Sequence, residues 1–168
     1  MTRHQRDPIR RAHHEWVRHG WGAAADGMAM VTSVVRVHQI FTERIDAVLR
    51  PHGLTFARYE VLMVLSFTAD GAMSMTRLGS LLQVHPSSVT SAVDRLQKQG
   101  FAGRTSSQSD GRVVLATITD AGRRVVAAAT EGLNSDVFER PGIDGPAVVA
   151  VTDLLSAVRA DAGDPVEE

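Results

Sequence analysis

Residues 75–104 read MTRLGSLLQVHPSSVTSAVDRLQKQGFAGR, and two short amphipathic helices can be drawn through them. Ser74 or Thr76 is placed to open the first, with Leu78, Leu81 and Leu82 inward. Gln83, Val84 and His85 make a tight turn, and Pro86 suits the first position of the second helix because its missing N–H has no intrahelical partner there. From Pro86 to Gln99, Val89, Ala92, Val93 and Leu96 recur at steps of three and four, and Gly100 supplies the stop. The other side of that helix is polar.

Working outward, residues 101–119, FAGRTSSQSDGRVVLATIT, are two extended runs around a Ser/Gln/Asp/Gly centre, which predicts a β-hairpin with Asp110 and Gly111 near its tip. Upstream, Thr55 is expected to cap a helix through FARYEVLMVLSF, apolar enough to be buried on most sides. Before it, Met30, Val34, Val37, Phe41, Ile45, Val48 and Leu49 mark a long amphipathic helix over residues 26–49, ended by Pro51 and Gly53. Downstream, Asp120 is expected to cap a helix over 121–133. Pro141, Gly142, Gly145 and Pro146 predict a break, and a last helix follows over about 147–159 before a frayed tail. The fold class is mainly α (α+β): two short helices and a hairpin in the order of a winged helix-turn-helix, flanked by longer helices.

The bulk composition agrees. A chain of 168 residues with 43% hydrophobic and 5% aromatic content can bury one core and favours helices over a sandwich. It has no cysteine, so a disulfide framework, a thiolate metal site and a cysteine nucleophile are excluded. The N-terminal MTRHQRDPIRRAHHEW lacks an apolar signal region, and no apolar run approaches the roughly 20 residues of a membrane span, so a cytoplasmic protein with no membrane partner is expected. The net charge of -1 is unevenly spread: residues 77–124 carry seven Lys and Arg against three acids, whereas residues 125–168 carry two against nine. One basic segment in a neutral chain attracts a polyanion locally.

The outer face of the second short helix has the chemistry to meet one. Ser87, Ser88, Thr90, Ser91, Arg95 and Lys98 are polar and partly small, as entry into a major groove requires. Thr76, Arg77 and His85 flank that face, and Arg112 beside the hairpin tip suits the negative potential of an adjacent minor groove. Asp110 either orients Arg95 or Arg112 by ion pairing or only shapes the turn. Taken singly, a serine-rich helix start is also a common capping segment, and an exposed hairpin arginine is commonly just solvated. It is their joint occurrence, with short connections, that points to double-stranded DNA.

Over roughly residues 54–125 the chain resembles the MarR family of bacterial regulators. The resemblance is carried by LTFARYEVLMVLSF, by residues 75–104 with their DRL-type recognition helix, by the Asp110-Gly111-Arg112 wing tip, and by Thr119-Asp120-Ala121-Gly122 at the start of the following helix. It implies a homodimer whose first and last helices interlock, a palindromic operator, a repressor role and often a small-molecule effector. On this reading residues 1–53 hold an N-terminal extension and dimerisation helices, 54–120 the DNA-binding domain, 121–162 C-terminal dimerisation helices and 163–168 the tail. The chain departs from the family in having Gly111 where a first wing arginine is common, and Arg77-Leu78-Gly79 where Glu-Leu-Ala is common.

The EWVRHGW segment is similar to the urate-responsive subgroup, and the resemblance implies an effector site at Trp16, Glu60 and Arg104 for an anionic or aromatic molecule. The subgroup's fourth position, an arginine, falls at Ala92. His38 in the long helix is a further candidate. Packing roles for Trp16 and Trp21, and a simple ion pair for Glu60, are the plainer readings. The seven histidines lack ligand spacing, so neither metal nor other cofactor is expected. No GxGxxG, Walker, HExxH or GxSxG arrangement appears, so catalysis is not expected; an enzyme and a helical protein-interaction module without DNA binding are the alternatives.

Overall fold

The structure is a computed structural model and describes residues 7–107 and 111–166. It divides into two compact units, residues 1–47 and 48–168.

In the first unit, helix α1 (Pro8–Arg18) starts behind Asp7, whose carboxylate accepts from the Ile9 N–H at 3.0 Å, with Pro8 in the first turn. Its sequence alone does not predict this helix, because Ile9, Trp16 and Val17 are too few apolar positions to show a helical period. Helix α2 (Gly22–Leu49) begins four residues earlier than expected, since Ala23, Ala24 and Ala25 extend it at little entropic cost. His13 Nε2 lies 2.8 Å from Asp26 Oδ1 and ties the two helices. The Trp16 and Trp21 rings meet edge to face at 5.5 Å, and Trp21 stacks on His19 at 5.6 Å. The apolar stripe expected at Met30, Val34 and Val37 is solvent-exposed in the single chain, as are Val31, Val35 and Ile40.

In the second unit, a 3-10 turn (Arg50–His52) closed by Gly53 at φ +68° leads into helix α3 (Phe56–Ser66). Tyr59, Val61, Leu62 and Leu65 of α3 are buried, and its remaining residues from Arg58 to Ser66 are partly covered, as their apolar run predicted. Strand β1 (Ala72–Ser74), helix α4 (Met75–Leu82), helix α5 (Pro86–Lys98), strands β2 (Ala102–Ser106) and β3 (Val114–Ile118) and helix α6 (Asp120–Leu133) follow. A π-helical turn (Asn134–Phe138) ends α6, and helix α7 (Gly145–Asp161) closes the chain behind an Asp144 cap. The hairpin sits in a three-stranded antiparallel sheet of order β1-β3-β2, with Met73 opposite Ala116 and Arg104 opposite Ala116 on the other side. β1 escaped the sequence reading because three residues are too short to show alternation.

Three local expectations are corrected. Leu81 is 54% exposed, because the α4 face that packs inward is centred on Leu78 and Gly79. The cap of α6 is Thr119, not Asp120: its extended backbone lets Oγ1 accept from the Gly122 N–H at 3.0 Å while donating to the Gly100 carbonyl at 2.7 Å. Thr55 occupies the cap position of α3, but its hydroxyl accepts from Arg58 Nε at 3.2 Å instead of from the backbone.

Candidate nucleic-acid interface

The helix-turn-helix is held by backbone devices. Ser74, not Thr76, caps α4, accepting from the Arg77 N–H at 3.3 Å. Gln83 ends it in the left-handed conformation at φ 53°, the one described non-glycine residue at positive φ. His85 then caps α5: its Nδ1 accepts from the Ser87 N–H at 3.2 Å. A ring nitrogen accepting from an amide carries no proton of its own, so the Ser87 hydroxyl, 2.7 Å away, donates to it as well.

Val89, Val93 and Leu96 anchor α5 in the core at 1% exposure or less, with Ala92 half-buried beside them. Ser87, Ser88, Thr90, Ser91, Arg95 and Lys98 all face solvent, as do Thr76, Arg77 and His85. The polar face is thus on the outside of a helix whose inner face is fixed. Arg112 lies in the loop between β2 and β3; Asp110 falls outside the described residues.

Arg104, read as an effector ligand, is engaged within this unit. Its guanidinium meets Asp94 Oδ1 at 2.8 Å and donates to the Thr90 carbonyl at 3.3 Å, pinning β2 of the wing to the back of α5. Asp94 therefore has an orienting role that the sequence reading assigned to no residue on α5. Of the other effector candidates, Glu60 belongs to this unit, and Trp16 and His38 to the first.

Glu60 is half-buried in α3, and no described side chain pairs with it. Loss of water around the carboxylate pushes its pKa up. A raised folded-state pKa means that ionised Glu60 opposes folding. That opposition is absent on the acid side of the ordinary carboxylate range, grows as pH rises through it and is complete above the folded pKa. Glu60→Gln is accordingly expected to raise the melting temperature at neutral pH and to match the parent in acid; equal melting curves at both pH values would remove the effect.

Two contacting residues had no functional reading in the sequence. Arg58 Nη1 donates to Gln99 Oε1 at 2.9 Å, and Gln99 Nε2 donates to the Gly53 carbonyl at 2.8 Å, so the end of α5 is tied to the start of α3. A positive charge inside the apolar run FARYEVLMVLSF was the available signal.

These features define a winged helix-turn-helix protein. Residues 52–113 match the model of the MarR family. The solved structure of Sco5413, a MarR family transcriptional regulator from Streptomyces coelicolor, is 42% identical, covering 84% of this chain and 99% of that one with a TM-score of 0.75. Sco3205 from the same organism, solved in complex with DNA, is 23% identical with a TM-score of 0.73 over 84% of this chain and 89% of that one, and bears on the fold. The HTH-type transcriptional repressor IacR of Pseudomonas putida is 25% identical over 107 residues, 64% of this chain and 62% of that protein. The match thus spans a little under two thirds of that relative's length. The chain belongs to the MarR family, whose solved member Sco5413 is a transcriptional regulator. Among the described residues, no helix is long and apolar enough to cross a membrane.

Proposed function

We propose that the chain binds a palindromic operator as a homodimer and acts as a repressor, with α5 in the major groove and Arg112 of the wing in the adjacent minor groove. The observation that carries this reading is the outer face of α5, where six polar side chains are exposed on a helix anchored by Val89, Val93 and Leu96. Serine hydroxyls donate or accept, which suits base edges, and the cations suit phosphates. The dimer is supported by two apolar surfaces that the single chain leaves uncovered: Val31, Val34 and Val35 on α2, and Val151, Leu154 and Val158 on α7. Repression is supported by the relative from Pseudomonas putida.

Selection from a random duplex pool tests this. It should return an inverted repeat with half-sites about one helical turn apart, bound with an affinity that falls steeply with salt. On that duplex, Arg112→Ala should weaken specific and random binding alike, whereas Ser88→Ala with Ser91→Ala should mainly narrow the gap between them, by about 1–3 kcal/mol per lost base contact. Equal effects of the serine changes on both duplexes would refute their base-reading role.

A small anionic or aromatic effector that releases the operator is a second element of the proposal. A groove of about 370 Å³ lined by Met63, Ser66, Arg123, Val126, Ala127 and Thr130 offers apolar walls and one guanidinium, the chemistry of an aromatic acid. CouR from Rhodococcus jostii, a protein of similar fold, is solved bound to p-coumaroyl-CoA, and the DNA binding of Bordetella bronchiseptica BpsR is described as regulated by 6-hydroxynicotinic acid. Trp16, His38, Glu60 and Arg104 remain the alternative ligand set, although Arg104 would have to leave Asp94 to serve.

A further inference from the structure

A cleft of about 580 Å³ opens beside the recognition helix, lined by Thr55, Arg58, Ser88, Ser91 and Arg95 among others. It joins the start of α3 to the outer face of α5, so it lies on the surface that the DNA-binding reading places against the duplex. Its chemistry is uneven. Two guanidinium groups line it with serine and threonine hydroxyls, and no described carboxylate is among its lining residues. That combination selects an oxyanion.

The two arginines are not equivalent. Arg95 makes no described side-chain hydrogen bond or ion pair, and on an exposed helix face it pays rotamer entropy on binding anything. Arg58 is already oriented: Nε donates to Thr55 Oγ1 at 3.2 Å and Nη1 to Gln99 Oε1 at 2.9 Å. Both partners are neutral, so its charge is uncompensated. The rest of its donor fork is left for a ligand.

We infer that Arg58 is a DNA-contacting residue, holding a backbone phosphodiester in this cleft together with Arg95 and so fixing how far α5 enters the groove. The inference rests on the DNA-binding reading and extends the contact surface beyond the recognition helix and wing to α3. Because phosphate contacts carry no base information, the effect is on affinity and salt dependence and not on sequence choice.

The test is the salt dependence of binding of the full-length protein to a labelled random-sequence duplex, comparing Arg58→Lys with Arg58→Gln. Both lose the guanidinium fork, so the pair separates charge from folding, and melting curves show whether each is folded. The slope of log affinity against log salt should be close to parental in the lysine variant and shallower by about 0.9 per protomer in the glutamine variant. Affinity of the glutamine variant should fall about tenfold or more at moderate salt. Gln99→Leu removes only the tether, and should leave the slope near the parental value. An unchanged slope in Arg58→Gln, or the same loss of slope in Gln99→Leu, would overturn the inference. A free carboxylate is the other source of the same chemistry. Titration of the DNA-free protein with sodium benzoate reads it: benzoate binding abolished by Arg58→Gln with an intact DNA slope would assign the cleft to a small acid and likewise overturn the inference. Failure of the parent protein to bind any duplex would instead strike the DNA-binding reading itself.

Discussion

Gly122→Ala is expected to lower stability by about 3 kcal/mol, near the upper end of what overpacking costs, and the melting temperature by about 6–12 °C. Gly122 sits in the first turn of α6, where a Cβ would collide with the Phe101 carbonyl oxygen and press on Ile118 Cγ1 at 2.9 Å. The carbonyl is backbone and already accepts from the Thr119 N–H at 3.1 Å, so it has little freedom to retreat. The same contact sets the wing, because Phe101 directly precedes β2 and Ile118 ends β3. The variant should therefore also lose DNA affinity at temperatures where it is still folded. Thermal melts at fixed protein concentration check the stability effect; a melting temperature within a degree or two of the parent would mean that this junction is looser than described.

The second large effect concerns assembly. Leu154 is 69% exposed in the single chain and Val158 is 54%, both on α7, a helix with no buried residue. An apolar helix left in water is explained if another copy covers it. Leu154→Arg combined with Val158→Arg would put two charges into that covered surface, and the desolvation cost should yield a monomer by light scattering. Loss of simultaneous engagement of two half-sites should then lower operator affinity by about 10²-fold or more, with each domain still folded. A double variant that stays dimeric would place the dimer contact elsewhere.

The helix-turn-helix was legible because its signals are local and mutually consistent. Pro86, the stripe at Val89, Val93 and Leu96, and Gly100 each fix one part of α5, and all agree. The exposed polar face followed from the same periodicity. What was illegible depends on contacts distant in sequence. Asp94 and Arg104 are ten positions apart, and Arg58 and Gln99 are forty-one apart, so neither pairing has a periodic trace. The α6 cap shifted from Asp120 to Thr119 for a similar reason: the hydroxyl bridges to Gly100 on a different element, and that bond selects between two adequate capping residues. Along α2 the period was read correctly as helical, but periodicity states which side is apolar and not whether the same chain covers it. The stripe at Met30, Val34 and Val37 is on the surface of the monomer.

The placement of α5 against DNA can be measured with a tethered cleavage reagent. The chain has no cysteine, so Ser91→Cys supplies a single attachment point for an iron chelate on the helix face. With an operator recovered by selection, strand scission should fall in two clusters about one helical turn apart, offset as expected for a major-groove source, while the same chelate at Ser135→Cys should cut weakly and without pattern. Equal, diffuse cleavage from both positions, or none from position 91 on a bound duplex, would contradict the account.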